Sequence, residues 1–224
     1  MIIKVCGMTD AENIAEVAAA GADWIGLIFY PPSPRFVSQT HVISGTIPDS
    51  GRIYELPTGK KRIGVFVDDT SQNIITRVVN FGLDMIQFHG NETPTMICNL
   101  QHTIADGICP DIKIIKAISI TGPDDMEKAV EYEACADYLL FDTKCPTAGG
   151  SGRKFDWTIL ESYNGKLPFI ISGGIRPGDE ECIASIKHPM LAGVDLNSLF
   201  EISPGIKDVT RIQQFIKRLK MLTE

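Results

Sequence analysis

The chain contains no stretch of about 18 consecutive apolar residues, which excludes a membrane-spanning helix read from hydropathy. Its first residues show no basic segment leading into an apolar run and a cleavage site. The expected location is therefore the cytoplasm, with no membrane partner. Positive charge is also in deficit: 21 Lys and Arg stand against 28 Asp and Glu, giving a net charge of −7. No global basic field exists to collect the phosphates of a nucleic acid, and any small anionic ligand would have to be met by local groups. Paired cysteine spacing is missing too. Cys6, Cys98, Cys109, Cys135, Cys145 and Cys182 form no CxxC, and His41, His89, His102 and His188 form no HExxH or other ligand cluster. In a chain of 224 residues, long enough to bury its own core, such scattered cysteines read as reduced thiols. Neither a disulfide framework nor a metal site is expected.

What is present is an even alternation of short apolar runs and helical patterns. Eight runs read as strands: Ile2–Cys6, Trp24–Tyr30, Arg62–Val67, Met85–His89, Lys113–Ser119, Tyr138–Asp142, Pro168–Ser172 and Leu191–Asp195. Their near-continuous apolar character suits parallel strands covered on both faces. Thr9-Asp10-Ala11-Glu12 is a capping-box signature ahead of an Ala-rich helix that stops at Gly21, and Ser71–Phe81 stops at Gly82. Asp124–Ala134 reads as another helix, and Val209, Ile212, Phe215, Ile216 and Leu219 share one face of a last one. A weak repeat of small-x-Asp-apolar-apolar recurs at Gly21-Ala22-Asp23, Gly82-Leu83-Asp84 and Cys135-Ala136-Asp137, each where a helix ends and a strand begins. Eight βα units predict an α/β fold of the (β/α)8 TIM-barrel class, a single domain over residues 1–224, for which roughly 250 residues is typical. A doubly wound open sheet is the rival. Gly45, Pro48, Gly51, Pro57 and Gly59 break the interval 38–61, so the second crossover is expected to be irregular.

In a barrel, chemistry belongs at the C-terminal ends of the strands. Those ends read Cys6, then the loop Pro31–Arg35, Asp68, His89, Ser119, Asp142, Ser172-Gly173-Gly174 and Asp195-Leu196-Asn197-Ser198. The list is far more polar and reactive than the strands leading to it. Each member has an ordinary reading as well. A strand-end cysteine is more often a small core residue than a base, an aspartate after a strand is often a cap, and a lone arginine is usually a solvated charge. The glycines discriminate better. The loops after strands seven and eight are where barrels commonly bind phosphate, and Gly173, Gly174, Asn197 and Ser198 offer close backbone approach and hydrogen-bond donors there. A third glycine cluster at 148–154 fits neither Walker spacing nor the strand–GxGxxG–helix context, and reads as a loop over the site after strand six.

Taken in order, these motifs resemble the phosphoribosylanthranilate isomerase family of tryptophan biosynthesis. The matching pieces are Lys4-Val5-Cys6-Gly7-Met8-Thr9, Phe29–Arg35 (FYPPSPR), Gly64-Val65-Phe66-Val67, Gln87-Phe88-His89-Gly90, Phe141-Asp142, Ser172-Gly173-Gly174-Ile175, Gly193-Val194-Asp195 and Ser203-Pro204-Gly205-Ile206-Lys207-Asp208. The resemblance implies an Amadori rearrangement of N-(5-phosphoribosyl)anthranilate to 1-(2-carboxyphenylamino)-1-deoxyribulose 5-phosphate, with no metal and no organic cofactor. It makes Cys6 the general base, Asp142 the general acid and Arg35 the partner of the anthranilate carboxylate. Substrate contacts are expected from His89, Gly173, Gly174, Asp195, Asn197 and Ser198, with the phosphate held by the loops of strands seven and eight. The partner is a small phosphorylated molecule, and the chain is expected to be a monomer or a homodimer. An Asp serves as acid only if burial raises its pKa, and a thiol serves as base only in a positive environment.

One departure stands out. After Asp195 many family members carry two small hydroxyl residues and a glycine, whereas this chain reads Leu196-Asn197-Ser198-Leu199-Phe200. Other phosphate-binding barrels are the nearest alternatives, but a metal-dependent epimerase would want more His ligands at strand ends. An indole-glycerol-phosphate synthase would want lysines there beyond Lys116. A barrel that only binds a sugar phosphate would need neither Cys6 nor Asp142.

Overall fold

The structure, a computed structural model, describes residues 1–38, 56–122, 124–143 and 157–223. Eight strands, β1 (Ile2–Cys6), β2 (Trp24–Ile28), β3 (Lys61–Phe66), β4 (Met85–Phe88), β5 (Lys113–Ile120), β6 (Tyr138–Thr143), β7 (Phe169–Ser172) and β8 (Leu191–Leu196), pair in chain order into a closed barrel. Every neighbouring pair is parallel, and β1 closes onto β8 with Lys4 opposite Asp195. The eight expected strands all form, and closure removes the open-sheet rival. The irregular interval 38–61 falls largely on residues outside those described, as does the glycine cluster at 148–154.

Helices α1 (Ala11–Ala19), α2 (Ser71–Phe81), α3 (Pro94–Ala105), α4 (Asp124–Val130), α5 (Glu180–Ser185) and α6 (Val209–Thr223) surround the barrel, with a 3₁₀ segment at Trp157–Ser162 after β6. Among these, α3 carried no expectation from sequence, although Thr93 accepts from the Met96 N–H as its N-cap and Pro94 occupies the first turn. The cap of α1 differs from the expected one. Asp10, not Thr9, accepts from the Asn13 N–H at 2.8 Å, while Thr9 turns away and donates to the Gly205 carbonyl. The charged acceptor sits one residue nearer the helix, and Thr9 is drawn off by the segment after β8.

Alternation along each strand separates two packing layers. Ile3 and Val5 of β1 join the large apolar layer between barrel and helices. Inside the barrel, Trp24, Ile63, Met85, Ile115, Ala117, Leu140 and Ile170 fill the lower part, with Tyr138 set edge-on to Trp24 at 5.1 Å. Above them the filling turns polar: Lys4, Gln87 and Asp195 are all buried.

The repeated aspartates have a specific job at the opposite, N-terminal face. Asp23 accepts from the Ile3 N–H at 3.0 Å, Asp84 from the Arg62 N–H at 2.8 Å and Asp137 from the Ile114 N–H at 2.8 Å. Each reaches sideways from the start of one strand to the first residues of the strand before it. Each also pairs with a lysine: Lys60 with Asp23, Lys61 with Asp84, Lys113 with Asp137. The repeat is therefore a set of clips between neighbouring strands, not merely a turn signal.

Candidate active site

At the end of β1 the inward positions are Lys4 and Cys6. Lys4 is 0% exposed and its Nζ lies 2.8 Å from Asp195 Oδ2 on β8. Burial opposes the ammonium charge, but Asp195 and Cys6 outweigh it and hold Lys4 above the ordinary lysine value. Cys6 is 4% exposed and lies against β2 at Gly26, where a Cβ would come within 2.8 Å of the thiol sulfur. Only glycine leaves room there. Burial pushes the Cys6 thiol up; Lys4 and Lys207 pull it down without cancelling that effect, and Asp195 adds to the rise. The expected positive environment exists, yet in the unliganded protein the neutral thiol is the favoured form. The second oxygen of Asp195, Oδ1, is buried and has no hydrogen-bond partner among the described residues.

Beside this pocket lies a second charged group. Arg35 donates from Nε to Glu201 Oε1 at 2.7 Å and from Nη2 to Glu201 Oε2 at 2.6 Å, a bidentate pair. Glu201 belongs to a hairpin that follows β8, with β9 (Glu201–Ser203) pairing antiparallel to β10 (Ile206–Lys207). From β10, the buried Lys207 Nζ reaches Glu201 Oε1 at 2.6 Å and Asn197 Oδ1 at 2.8 Å. Burial alone would raise Glu201, but Arg35, Lys207 and the Gly205 N–H hold it down at about 2. Gly7, at φ +75°, lets the Arg35 stem and the Asn197 side chain lie against the backbone after β1; a Cβ there would meet both.

On the other side of the mouth, Asp142 at the end of β6 is paired with His89. His89 Nε2 lies 3.3 Å from Asp142 Oδ2, and Gln87 Nε2 lies 3.0 Å from His89 Nδ1. In the tautomer where the Gln87 amide donates to Nδ1, the ring proton sits on Nε2 and faces Asp142. The Asp142 side chain keeps 19% exposure, so it is reachable from the mouth rather than sealed by burial as expected from the sequence. Asp142 and Cys6 stand on strands three steps apart around the ring.

After β7, Gly173 and Gly174 adopt φ of +91° and +66°, and nothing lies within 4 Å of a Cβ built on Gly174. Ser198 is exposed and opens a 3₁₀ turn, Ser198–Phe200. Asn197 is instead engaged on the β1 side, its oxygen taken by Lys207. Asp195, expected to touch substrate, spends one oxygen on Lys4 within the barrel wall. Sequence reasoning missed Glu201 and Lys207. The available signal was the Pro204-Gly205 turn between them, which makes a hairpin with the two residues on facing strands. Among the described residues no three His, Cys, Asp or Glu side chains converge as a metal site. None of the helices there is long and apolar enough to cross a membrane.

Comparison with known proteins places this arrangement. The family described as N-(5'phosphoribosyl)anthranilate (PRA) isomerase matches residues 3–218. The chain is 44% identical over 219 residues to an N-(5'-phosphoribosyl)anthranilate isomerase of Parabacteroides distasonis, covering 98% of this chain and 93% of that one. It is 35% identical over 221 residues to that of Zymomonas mobilis subsp. mobilis, with 98% of each covered. Among solved structures it is similar to phosphoribosyl anthranilate isomerase from Thermotoga maritima, with a TM-score of 0.78 at 33% identity over 99% of this chain and 100% of that one. A phosphoribosyl anthranilate isomerase in complex with reduced 1-(o-carboxyphenylamino)-1-deoxyribulose 5-phosphate gives a TM-score of 0.77 at 31% identity, with the same coverage. The chain belongs to the N-(5'-phosphoribosyl)anthranilate isomerase family and is an isomerase of tryptophan biosynthesis.

Proposed function

We propose that this chain performs its Amadori rearrangement with Asp142 as general acid and Cys6 as general base. The observation that carries the reading is the placement of the two groups at the barrel mouth on strands three steps apart, Asp142 within 3.3 Å of His89 and Cys6 beside the buried cations Lys4 and Lys207. Asp142 gives its proton to the ring oxygen of N-(5-phosphoribosyl)anthranilate as the C1–O bond breaks. The nitrogen lone pair moves in to form a C1=N iminium. That cation acidifies the C2 hydrogen, and Cys6, as the thiolate formed once its own proton has been released to solvent, removes it as a proton. The C–H electrons form C1=C2 and neutralise the nitrogen. Return of a proton to C1 and loss of one from the C2 hydroxyl give the ketone.

His89 holds Asp142 Oδ2, which leaves Oδ1 to carry the acidic proton. The iminium supplies a positive charge beside Cys6 at the step where thiolate is needed, which offsets the burial that keeps the resting thiol neutral. In this reading Arg35 receives the ring carboxylate, and Gly173, Gly174 and Ser198 receive the phosphate through backbone N–H groups. Asp195 acts through Lys4, since a carboxylate repels both anionic ends of the substrate. Asn197 acts through Lys207.

Fluorescence of phosphoribosylanthranilate generated in situ tests the assignment. The wild type is expected to consume it, with Cys6→Ser and Asp142→Asn each at least about 100-fold slower, the scale of a lost acid or base. Normal turnover by either folded variant would remove that residue from the mechanism.

A further inference from the structure

Arg35 is expected to receive an anion, yet its guanidinium is already bound by both oxygens of Glu201. On its own such a pair is electrically neutral, and an incoming carboxylate on the remaining N–H groups would be repelled by the Glu201 charge just beyond Arg35. Lys207 alters this balance. Its Nζ lies 2.6 Å from Glu201 Oε1, on the oxygen that also accepts from Arg35 Nε, and the side chain is 0% exposed. Two cations then share one carboxylate, and the group as a whole keeps a single positive charge.

We propose that Lys207 is a positioning residue for substrate recognition: by neutralising Glu201 it leaves Arg35 a full positive charge for the aromatic carboxylate. This rests on the reading of Arg35 as the carboxylate receptor. Glu201 fixes the plane of the guanidinium through Nε and Nη2, so the remaining N–H groups are presented in one orientation. The lysine is itself held from two directions. Asn13 of α1 donates to its carbonyl at 3.0 Å and accepts from its N–H at 2.7 Å. Asn197 accepts the second bond of its ammonium. The amide oxygen of Asn197 projects far enough to meet the lysine at 2.8 Å. Neither Lys207 nor Glu201 needs to touch the substrate.

Titration calorimetry with two ligands tests the proposal. One is reduced 1-(2-carboxyphenylamino)-1-deoxyribulose 5-phosphate; the other is the matching phenylamino compound without the ring carboxylate. Lys207→Met is expected to weaken the first roughly 10- to 100-fold, the scale of a lost charge-assisted contact, and to leave the second unchanged. Lys207→Arg keeps the charge and should keep wild-type selectivity. The double variant Lys207→Met/Glu201→Gln restores a net single positive charge, with no uncompensated carboxylate left to disturb folding. It should recover most of the affinity for the carboxylate-bearing ligand. Equal loss for both ligands in Lys207→Met, or a double variant no better than the single, would overturn the proposal. Arg35→Met separates the two levels. If it discriminates between the ligands while Lys207→Met does not, only the role of Lys207 falls. If Arg35→Met fails to discriminate, the receptor reading falls and takes the proposal with it.

Discussion

Lys4 places its ammonium 2.8 Å from the carboxylate of Asp195, and both are shut away from solvent next to the Cys6 thiol. A thiol pushed up by burial keeps its proton to higher pH, so the thiolate fraction grows as pH rises through and beyond the ordinary cysteine range near ~8.5. If Cys6 is the base, kcat/KM rises along an alkaline limb. Lys4 lowers that pKa, so Lys4→Met moves the limb to still higher pH. The rate at pH 7 then falls about tenfold for every pH unit the limb travels. Breaking the buried pair costs about 3–5 kcal/mol, so Lys4→Met/Asp195→Asn serves as the better-folded companion. A pH profile that does not move in either variant refutes the link.

The fit of Cys6 against β2 gives a second test. Gly26→Ala puts a methyl 2.8 Å from the sulfur and 3.0 Å from the Cys6 Cα, so β1 or the thiol must shift. Shifts on the order of 1 Å at a reacting atom cost about 100-fold in rate. The expected result is a folded, nearly inactive barrel by circular dichroism and the fluorescence assay. Full activity would show that the thiol position is not constrained from β2.

At the opposite face the same treatment should spare chemistry. Asp84→Ala removes the acceptor of the Arg62 N–H and one ion pair with Lys61. Urea unfolding is expected to show a loss of about 1–3 kcal/mol, with kcat unchanged. A fall in kcat without a stability change would mean that the two faces are coupled.

Much of this was legible in the chain itself. Eight apolar runs with polar ends predicted the closed barrel, because parallel strands covered on both faces leave only their C-terminal ends free for polar side chains. Cys6, His89 and Asp142 were readable as strand-end residues. Glu201 and Lys207 were not, because a charged pair across a short hairpin looks like any solvated turn until burial is known. The role of the repeated aspartates was hidden for a related reason. Asp23, Asp84 and Asp137 read as local turn residues, whereas their partners lie about 20 residues earlier, on the preceding strand. Asp10 displaced Thr9 as cap because Gly205, near the far end of the chain, competes for the threonine.

Acid should act on the hairpin through Glu201. Its folded pKa of about 2 lies below the ordinary 4.5, so its contribution to stability is complete above about pH 4.5 and disappears as pH falls toward 2. Comparing wild type with Glu201→Gln by chemical unfolding at several pH values should show a gap that is largest near neutrality and narrows across that window. A gap that widens in acid would contradict the pairing.

The three aspartate clips join residues only 20 to 23 positions apart, whereas Lys4 and Asp195 are separated by 191 and Arg35 and Glu201 by 166. Loop-closure entropy favours the short links, so neighbouring strands can register early and locally. Lys4–Asp195 and Arg35–Glu201, unlike His89–Asp142, are contacts across the seam, formed when the last strand and its hairpin meet the first strands. Turnover in a refolding experiment is therefore expected to follow closure of the ring itself, since a chain ending before β8 lacks Asp195, Glu201 and Lys207.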